Sequence, residues 1–352
     1  MERHAIALQK FAEGTVIPAT PLVLDARKHF DPNGQKLLNG YYLEAGAGGI
    51  ATAVHSTQFE IRNPEFHLFE TVIATVAESI NEYEARTGRV IVRIAGVCGP
   101  TEQAVAEAEL AKKYGYDAVL LSPGGLNDRS EDYLIGRTEA VAAVMPVVGF
   151  YLQKAVGGRH LSYSYWRRFA EVKNVIGVKA APFNRYATLD VVRAVAFSSR
   201  SSEIALYTGN DDNIVADLIS TYTFREGDRT VTRRFNGGLL GHWSVWTRRV
   251  VELFERIKRN PNDPELLTLA GQITDANGVI FDAANNFAGC ISGIHEILHR
   301  QGLMPYIHCL SEKERLSEGQ SEEIDRILAM YPHLTDDEFV GAYLAAQKGS
   351  RK

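Results

Sequence analysis

A chain of 352 residues with 45% hydrophobic, 9% aromatic and 23% charged residues has the composition of a soluble globular protein with a sizeable core. Its formal net charge of −5, without any block of Lys or Arg, excludes an electrostatic footprint for nucleic acid or an anionic membrane. Three cysteines (Cys98, Cys290 and Cys309) show neither C-x-x-C spacing nor the density of a disulfide framework, so the expected setting is a reducing cytoplasm.

The chain starts with "MERHAIALQKFAEG", which reads as a short amphipathic helix without the apolar core of a signal peptide. No run of ~18 apolar residues follows that would span a membrane. Short β-branched runs then recur at "GTVIPATPLV", "GIATAVHS", "RVIVRIAGV", "DAVLLSP", "PVVGFYL", "VIGVKAA", "EIALYTG" and "GGLLGHWSV". Between most of them lie segments with helical spacing, such as "TEQAVAEAELAKKYG" and "SYSYWRRFAEVK". Continuous apolar strands alternating with amphipathic helices predict a parallel sheet, and this many units predicts a (β/α)₈ barrel. A doubly wound sheet competes, but "EAGAGGIA" precedes a strand, whereas a dinucleotide fingerprint follows one.

The polar stretch "TFREGDRTVTRRFN" reads as a loop inserted before the eighth strand. Beyond it "ELLTLAGQITDANGVIFDAANN", "SGIHEILHRQG" and "SEEIDRILAMY" are helical. The expected organisation is a barrel with its short N-terminal helix over residues 1–258, then a helical C-terminal extension over residues 259–352 packed on it.

Lys179 ends the sixth strand, where the residues of a barrel face its active site. Burial disfavours an ammonium, so an amine there becomes nucleophilic near neutral pH and can form a Schiff base with a ketone. A lysine that snorkels to solvent or pairs with an acid is the plainer reading of the same position. Tyr151 ends the fifth strand, as a proton shuttle or a core aromatic, and Ser56 with Thr57 ends the second, as anion donors or ordinary turn residues.

The strand order, with "IPATPL", "HST", "GFY", "GVKAA" and "GGLLGHWS" in their places, resembles the dihydrodipicolinate synthase and N-acetylneuraminate lyase superfamily over nearly the whole chain. That resemblance implies a metal-independent class I aldolase or lyase on a (β/α)₈ barrel with C-terminal helices. Lys179 would form the Schiff base with pyruvate or another 2-oxo acid, without a separate cofactor. Tyr151 would shuttle protons, Ser56 and Thr57 would hold the carboxylate, and Thr20 would line the pocket. Partners would be a 2-oxo acid and an aldehyde, with no nucleic acid and no membrane, in a homo-oligomer of two or four chains.

Departures from the family pattern point away from dihydrodipicolinate synthase itself. The usual G-[ST]-T-G-E reads His55-Ser56-Thr57-Gln58-Phe59 here, Gly124 and Gly125 replace a tyrosine pair, and Val156 stands where an arginine binds the second substrate. His55, Gln58, Phe59, Phe183, His242 and Trp243 fall near strand ends and could serve an aromatic aldehyde or a sugar acid, although several suit a barrel–helix interface. Arg62 and Arg159 could meet a distal carboxylate.

"HEILH", His295 to His299, matches H-E-x-x-H and offers a zinc-peptidase reading, with Glu296 as base and Glu318 as a third ligand. It lies in the helical extension, away from any strand end. "NDDN", Asn210 to Asn213, reads as a helix cap or an acidic cation site. A third reading of the whole is a non-catalytic barrel that binds a 2-oxo acid.

Overall fold

The computed structural model describes residues 2–349. In chain order the elements are α1 (Arg3–Glu13), β1 (Val16–Pro18), α2 (Pro32–Ala45), β2 (Gly49–Thr52), α3 (Phe69–Thr87), β3 (Val92–Val97), α4 (Thr101–Lys113) and β4 (Ala118–Leu121). Then come α5 (Glu131–Ala142), β5 (Val147–Leu152), α6 (Tyr163–Glu171), β6 (Val175–Ala181), α7 (Arg185–Phe197), β7 (Ala205–Thr208) and α8 (Ile214–Ile219). After β8 (Tyr222–Glu226), β9 (Arg229–Arg233) and β10 (Gly237–Leu240) the chain is helical, with α9 (Thr247–Arg259), α10 (Glu265–Ile280), α11 (Cys290–Arg300), α12 (Gln320–Met330) and α13 (Asp337–Gly349).

The eight strands expected from sequence form one sheet in the order β1-β10-β7-β6-β5-β4-β3-β2, and the β1–β2 edge is joined by a parallel bridge between Ala19 and Ala51. This is a (β/α)₈ barrel. Its strands are buried along almost their whole length, which is why they read as unbroken apolar runs rather than alternating ones. Short polar residues start four of the barrel helices. Asp31 accepts the N–H groups of Asn33 and Gly34 ahead of α2, and Pro32 opens that helix; Ser130, Ser162 and Asn184 cap α5, α6 and α7 in the same way.

The stretch expected as a loop is instead a two-stranded antiparallel ribbon, β8 with β9, in register from Tyr222↔Arg233 to Glu226↔Arg229. Its turn uses Gly227 at φ 57. The alternation Thr-Phe-Arg and Arg-Thr-Val-Thr-Arg carries the strands, and their charged, exposed face hid the pattern.

The chain divides into two compact units, Met1–Thr15 with Val92–Leu239 and Val16–Ile91 with Leu240–Lys352, so the division runs through the sheet and residue 258 lies inside the second unit. The first unit contains β3 to β9 and nearly all of β10; Tyr207 stacks on Phe11 with ring centroids 4.4 Å apart, tying α1 to β7. The second holds β1, β2 and all helices from α9 onward. Val250, Phe254 and Ile257 form the buried stripe of α9, at helical spacing. Among the described residues no helix is long and apolar enough to cross a membrane.

Candidate active site

Lys179 lies in register between Phe150 of β5 and Tyr207 of β7. It is 7% exposed, and its Nζ sits 4.3 Å from the centroid of the Phe150 ring. No hydrogen bond to Nζ is made among the described residues. Burial pulls its pKa down from 10.5 to about 8, while the charge of Asp211 acts in the opposite direction. The aromatic face retains part of the attraction for the ammonium form. Gly209 makes the space: a Cβ there would stand 2.4 Å from Lys179 Cε and 2.7 Å from Ala181 Cβ.

The loop after β7 is built around Asp217, which is fully buried. It accepts from Thr208 Oγ1 at 2.7 Å, Asn210 Nδ2 at 2.9 Å and Asn213 Nδ2 at 3.1 Å, and it pairs with Arg185. Asn210 Oδ1 in turn accepts the N–H of Phe183 at 3.1 Å, holding a half-buried residue at φ 50. Asn213 precedes α8 but makes no side-chain cap; it is a partner of Asp217 instead. The "NDDN" stretch thus orders the loops around the lysine strand, and Asp211 brings its charge to the amine.

Tyr151 takes a different course. Successive side chains alternate across a strand, and Phe150 occupies the lysine side. The Tyr151 ring lies 5.3 Å from that of Trp166 in α6. Its hydroxyl accepts the Leu161 N–H at 3.2 Å and lies 3.4 Å from His160 Nδ1. Burial raises its pKa. The structure therefore brings Lys179 together with Phe150 and Asp211, and seats Tyr151 against α6. Arg159, considered for a carboxylate, donates to the carbonyls of Leu126 and Arg129.

In the second unit, β2 runs into a 3-10 turn, His55–Thr57. Ser56 Oγ donates to the Ala19 carbonyl and Thr57 Oγ1 to that of Thr20, both at 2.7 Å. These bonds pin the turn to β1 and direct the hydroxyl protons away from any ligand. Thr20 is buried in a polar network: its hydroxyl donates to Asn39 Oδ1 at 3.2 Å and accepts from Gln35 Nε2 at 3.0 Å. Gln58 is 1% exposed and holds φ 68, a backbone that costs a non-glycine residue ~1–3 kcal/mol. His55 packs its ring 5.9 Å from Phe59, and Arg62 stacks on Phe59 and Phe69 while donating to the Ala53 carbonyl.

His242 follows β10 and is 3% exposed, with its ring edge-on to Trp246. Burial depresses its pKa to about 4 against a hydrogen bond with Asn277, so it is a neutral imidazole at physiological pH. Trp243 packs on Phe254 of α9, which makes it an interface aromatic.

The H-E-x-x-H reading is overturned by what its side chains do. His295 is fully buried with Nδ1 near the Ile307 carbonyl and 3.7 Å from Cys309 Sγ; Glu296 pairs with Arg300 at 2.7 Å; His299 Nδ1 lies 3.0 Å from the Met304 carbonyl. Glu318 is exposed. Among the described residues no group of three His, Cys, Asp or Glu side chains could hold a metal ion.

Phe150, Gly209 and Asp211 are the neighbours of Lys179 that sequence reasoning missed. Phe150 was hidden beside the more reactive Tyr151. Gly209 and Asp211 sit two residues apart just after a strand, and only the register of β6 with β7 carries them to the lysine.

Residues 66–239 match the sequence profile of the Dihydrodipicolinate synthetase family. No curated protein matches the chain by sequence. Solved structures share its fold. Dihydrodipicolinate synthase from Oceanobacillus iheyensis is 16% identical over 94% of this chain and 100% of its own, with a TM-score of 0.71. YagE, a prophage protein of the dihydrodipicolinic acid synthase family from E. coli K12 solved with pyruvate, is 16% identical over 91% and 98%, with a TM-score of 0.73. The chloride-inhibited dihydrodipicolinate synthase from Acinetobacter baumannii, also solved with pyruvate, is 19% identical over 90% and 98%, with a TM-score of 0.72.

Proposed function

We propose that this chain, a member of the dihydrodipicolinate synthase and N-acetylneuraminate lyase superfamily by its barrel and its profile match, is a class I aldolase or lyase acting on pyruvate or another 2-oxo acid. The observation that carries this is Lys179, a buried amine lowered to about 8 and free of hydrogen bonds among the described residues. In its neutral form the amine attacks C2 of the 2-oxo acid, and loss of water from the carbinolamine gives an iminium. The iminium withdraws electrons from C3, so a C3 proton can leave and the enamine can add to an aldehyde; the reverse sequence cleaves the C3–C4 bond. Water then hydrolyses the imine and returns the amine. The iminium is itself the electron sink, so the reaction needs no separate cofactor.

The carboxylate falls to the Ser56–Thr57 turn; both hydroxyls donate to carbonyls, as do the N–H groups of Thr57, to Val54, and Gln58, to His55, so these groups must exchange partners to hold it. Tyr151 serves as proton carrier only if its hydroxyl leaves Leu161 and His160 for the lysine side. Gly124, Gly125 and Val156 supply none of the groups for aspartate semialdehyde, so the enamine adds to an aromatic aldehyde, or the reverse reaction cleaves a 2-keto-3-deoxy sugar acid, with His55, Phe183 and His242 as pocket groups and Thr20 behind the carboxylate turn. We place the protein in the cytoplasm as a dimer or tetramer.

Borohydride reduction in the presence of pyruvate is the test. It should add a stable mass at Lys179, and Lys179→Ala should abolish that adduct; absence of an adduct with every 2-oxo acid tried sinks the proposal. The placement of Tyr151 favours one second reading, a barrel that forms the imine without turning over. Tyr151→Phe separates them: lost turnover with intact trapping marks the tyrosine as the proton carrier, and a wild-type chain that traps but never releases product marks a binding protein.

A further inference from the structure

Gln58 combines three features that do not belong to an ordinary turn residue. Its backbone sits at φ 68 and ψ 119, a conformation glycine would adopt without strain. Its side chain is 1% exposed. And its amide is only half used: Oε1 accepts the Leu310 N–H at 2.6 Å, whereas Nε2 has no hydrogen-bond partner among the described residues. A buried amide donor left unpaired is a cost that folded proteins rarely retain without a use for it.

The orientation of this amide is not ambiguous. Leu310 presents a donor, so the oxygen must face it and the NH₂ group must point the other way. Leu310 itself is held. It belongs to the segment between α11 and α12, which ion-pairs Glu312 with Lys28 and sets His308 Nδ1 3.4 Å from the Asp25 carbonyl, both on the loop after β1. The C-terminal segment thus clamps the carbonyl end of the Gln58 amide, and the donor end belongs to the residue directly after Ser56 and Thr57.

We propose that Gln58 is a substrate-recognition residue: its Nε2–H donates to an oxygen of the bound 2-oxo acid, in a pose fixed by Leu310. This rests on the reading that the Ser56–Thr57 turn receives the 2-oxo acid. It makes the segment from Leu303 to Gly319 part of the recognition apparatus rather than a connection between helices.

The test measures equilibrium dialysis of radiolabelled pyruvate in a Lys179→Ala background, where no imine can form and recognition is read alone. Gln58→Glu keeps an acceptor for Leu310 but replaces the donor with an oxygen. At about pH 8 the introduced carboxylate should weaken pyruvate binding ~10-fold or more, and the loss should ease towards about pH 5 as that carboxyl protonates and can donate. Gln58→Gly, which removes the strain with the side chain, should keep or raise the melting temperature and still weaken binding; a purely structural latch would leave affinity unchanged. Equal affinity with and without these substitutions, a Gln58→Glu loss that does not ease on acidification, or no pyruvate binding in the Lys179→Ala background overturns the inference. If the dialysis pattern holds while borohydride traps nothing on the native chain, the Schiff-base proposal fails and the role of Gln58 stands.

Discussion

Lys179 in the first unit and His295 in the second are both bases withdrawn from water, and burial lowers the basicity of both, to about 8 and about 4. Their surroundings separate them. The histidine is boxed in by the Ile307 carbonyl, Cys309 and the rest of α11, so its neutral form is a packing element. The lysine has an aromatic face, a carboxylate charge and a glycine that clears its path, and its amine makes no hydrogen bond among the described residues. Burial alone does not mark a reactive group. What marks it is burial beside a countercharge that holds its pKa near neutrality, since His295 Nε2 is also a buried polar atom without a hydrogen-bond partner among the described residues.

The largest effect that tests this contrast is acid lability. His242 and His295 have folded-state pKa values of about 4 against a reference of 6.5, so the unfolded chain binds more protons and stability falls as pH drops from 6.5 towards 4. Urea unfolding at about pH 5 should show stability lower than at about pH 7.5 by on the order of 3–6 kcal/mol, with His295→Gln removing its share of that dependence. Lys179, with its value lowered from 10.5 to about 8, acts in a higher window, where stability rises with pH between those two values and Lys179→Met should flatten the rise.

Gly209→Ala comes next. Its Cβ would lie 2.4 Å from Lys179 Cε, so the lysine must move; we expect ~1–3 kcal/mol of lost stability and a fall of ~100-fold in the rate of borohydride trapping. A variant that traps at the native rate would show that the lysine pose is not set there. Asp211→Asn should remove the charge that holds the ammonium, moving the midpoint of the trapping pH profile down by ~0.5–1 pH unit. The smallest effect belongs to His299→Ala, at an exposed residue whose Nδ1 lies 3.0 Å from the Met304 carbonyl, which should cost under ~1 kcal/mol by thermal unfolding and leave trapping unchanged.

The barrel was legible because parallel strands buried on both faces leave an unbroken apolar run, and all eight runs became strands of one sheet. Lys179 was legible for the same reason, as a charge interrupting such a run. The β8–β9 ribbon was not, since its alternation is written in threonine and arginine. Nor was the difference between Phe150 and Tyr151: adjacent in the chain, they go to opposite sides of the sheet, and reactivity drew the eye to the tyrosine.

Local sequence thus determined where strands and helices form and which strand carries an amine, because periodicity and capping act over a few residues. Tertiary structure alone decided which groups that amine meets, why Gly209 must be small, and that the H-E-x-x-H side chains go separate ways. Those facts depend on the register of β6 with β7 and on the loop that closes over α11, contacts between residues far apart in the chain that no local pattern records.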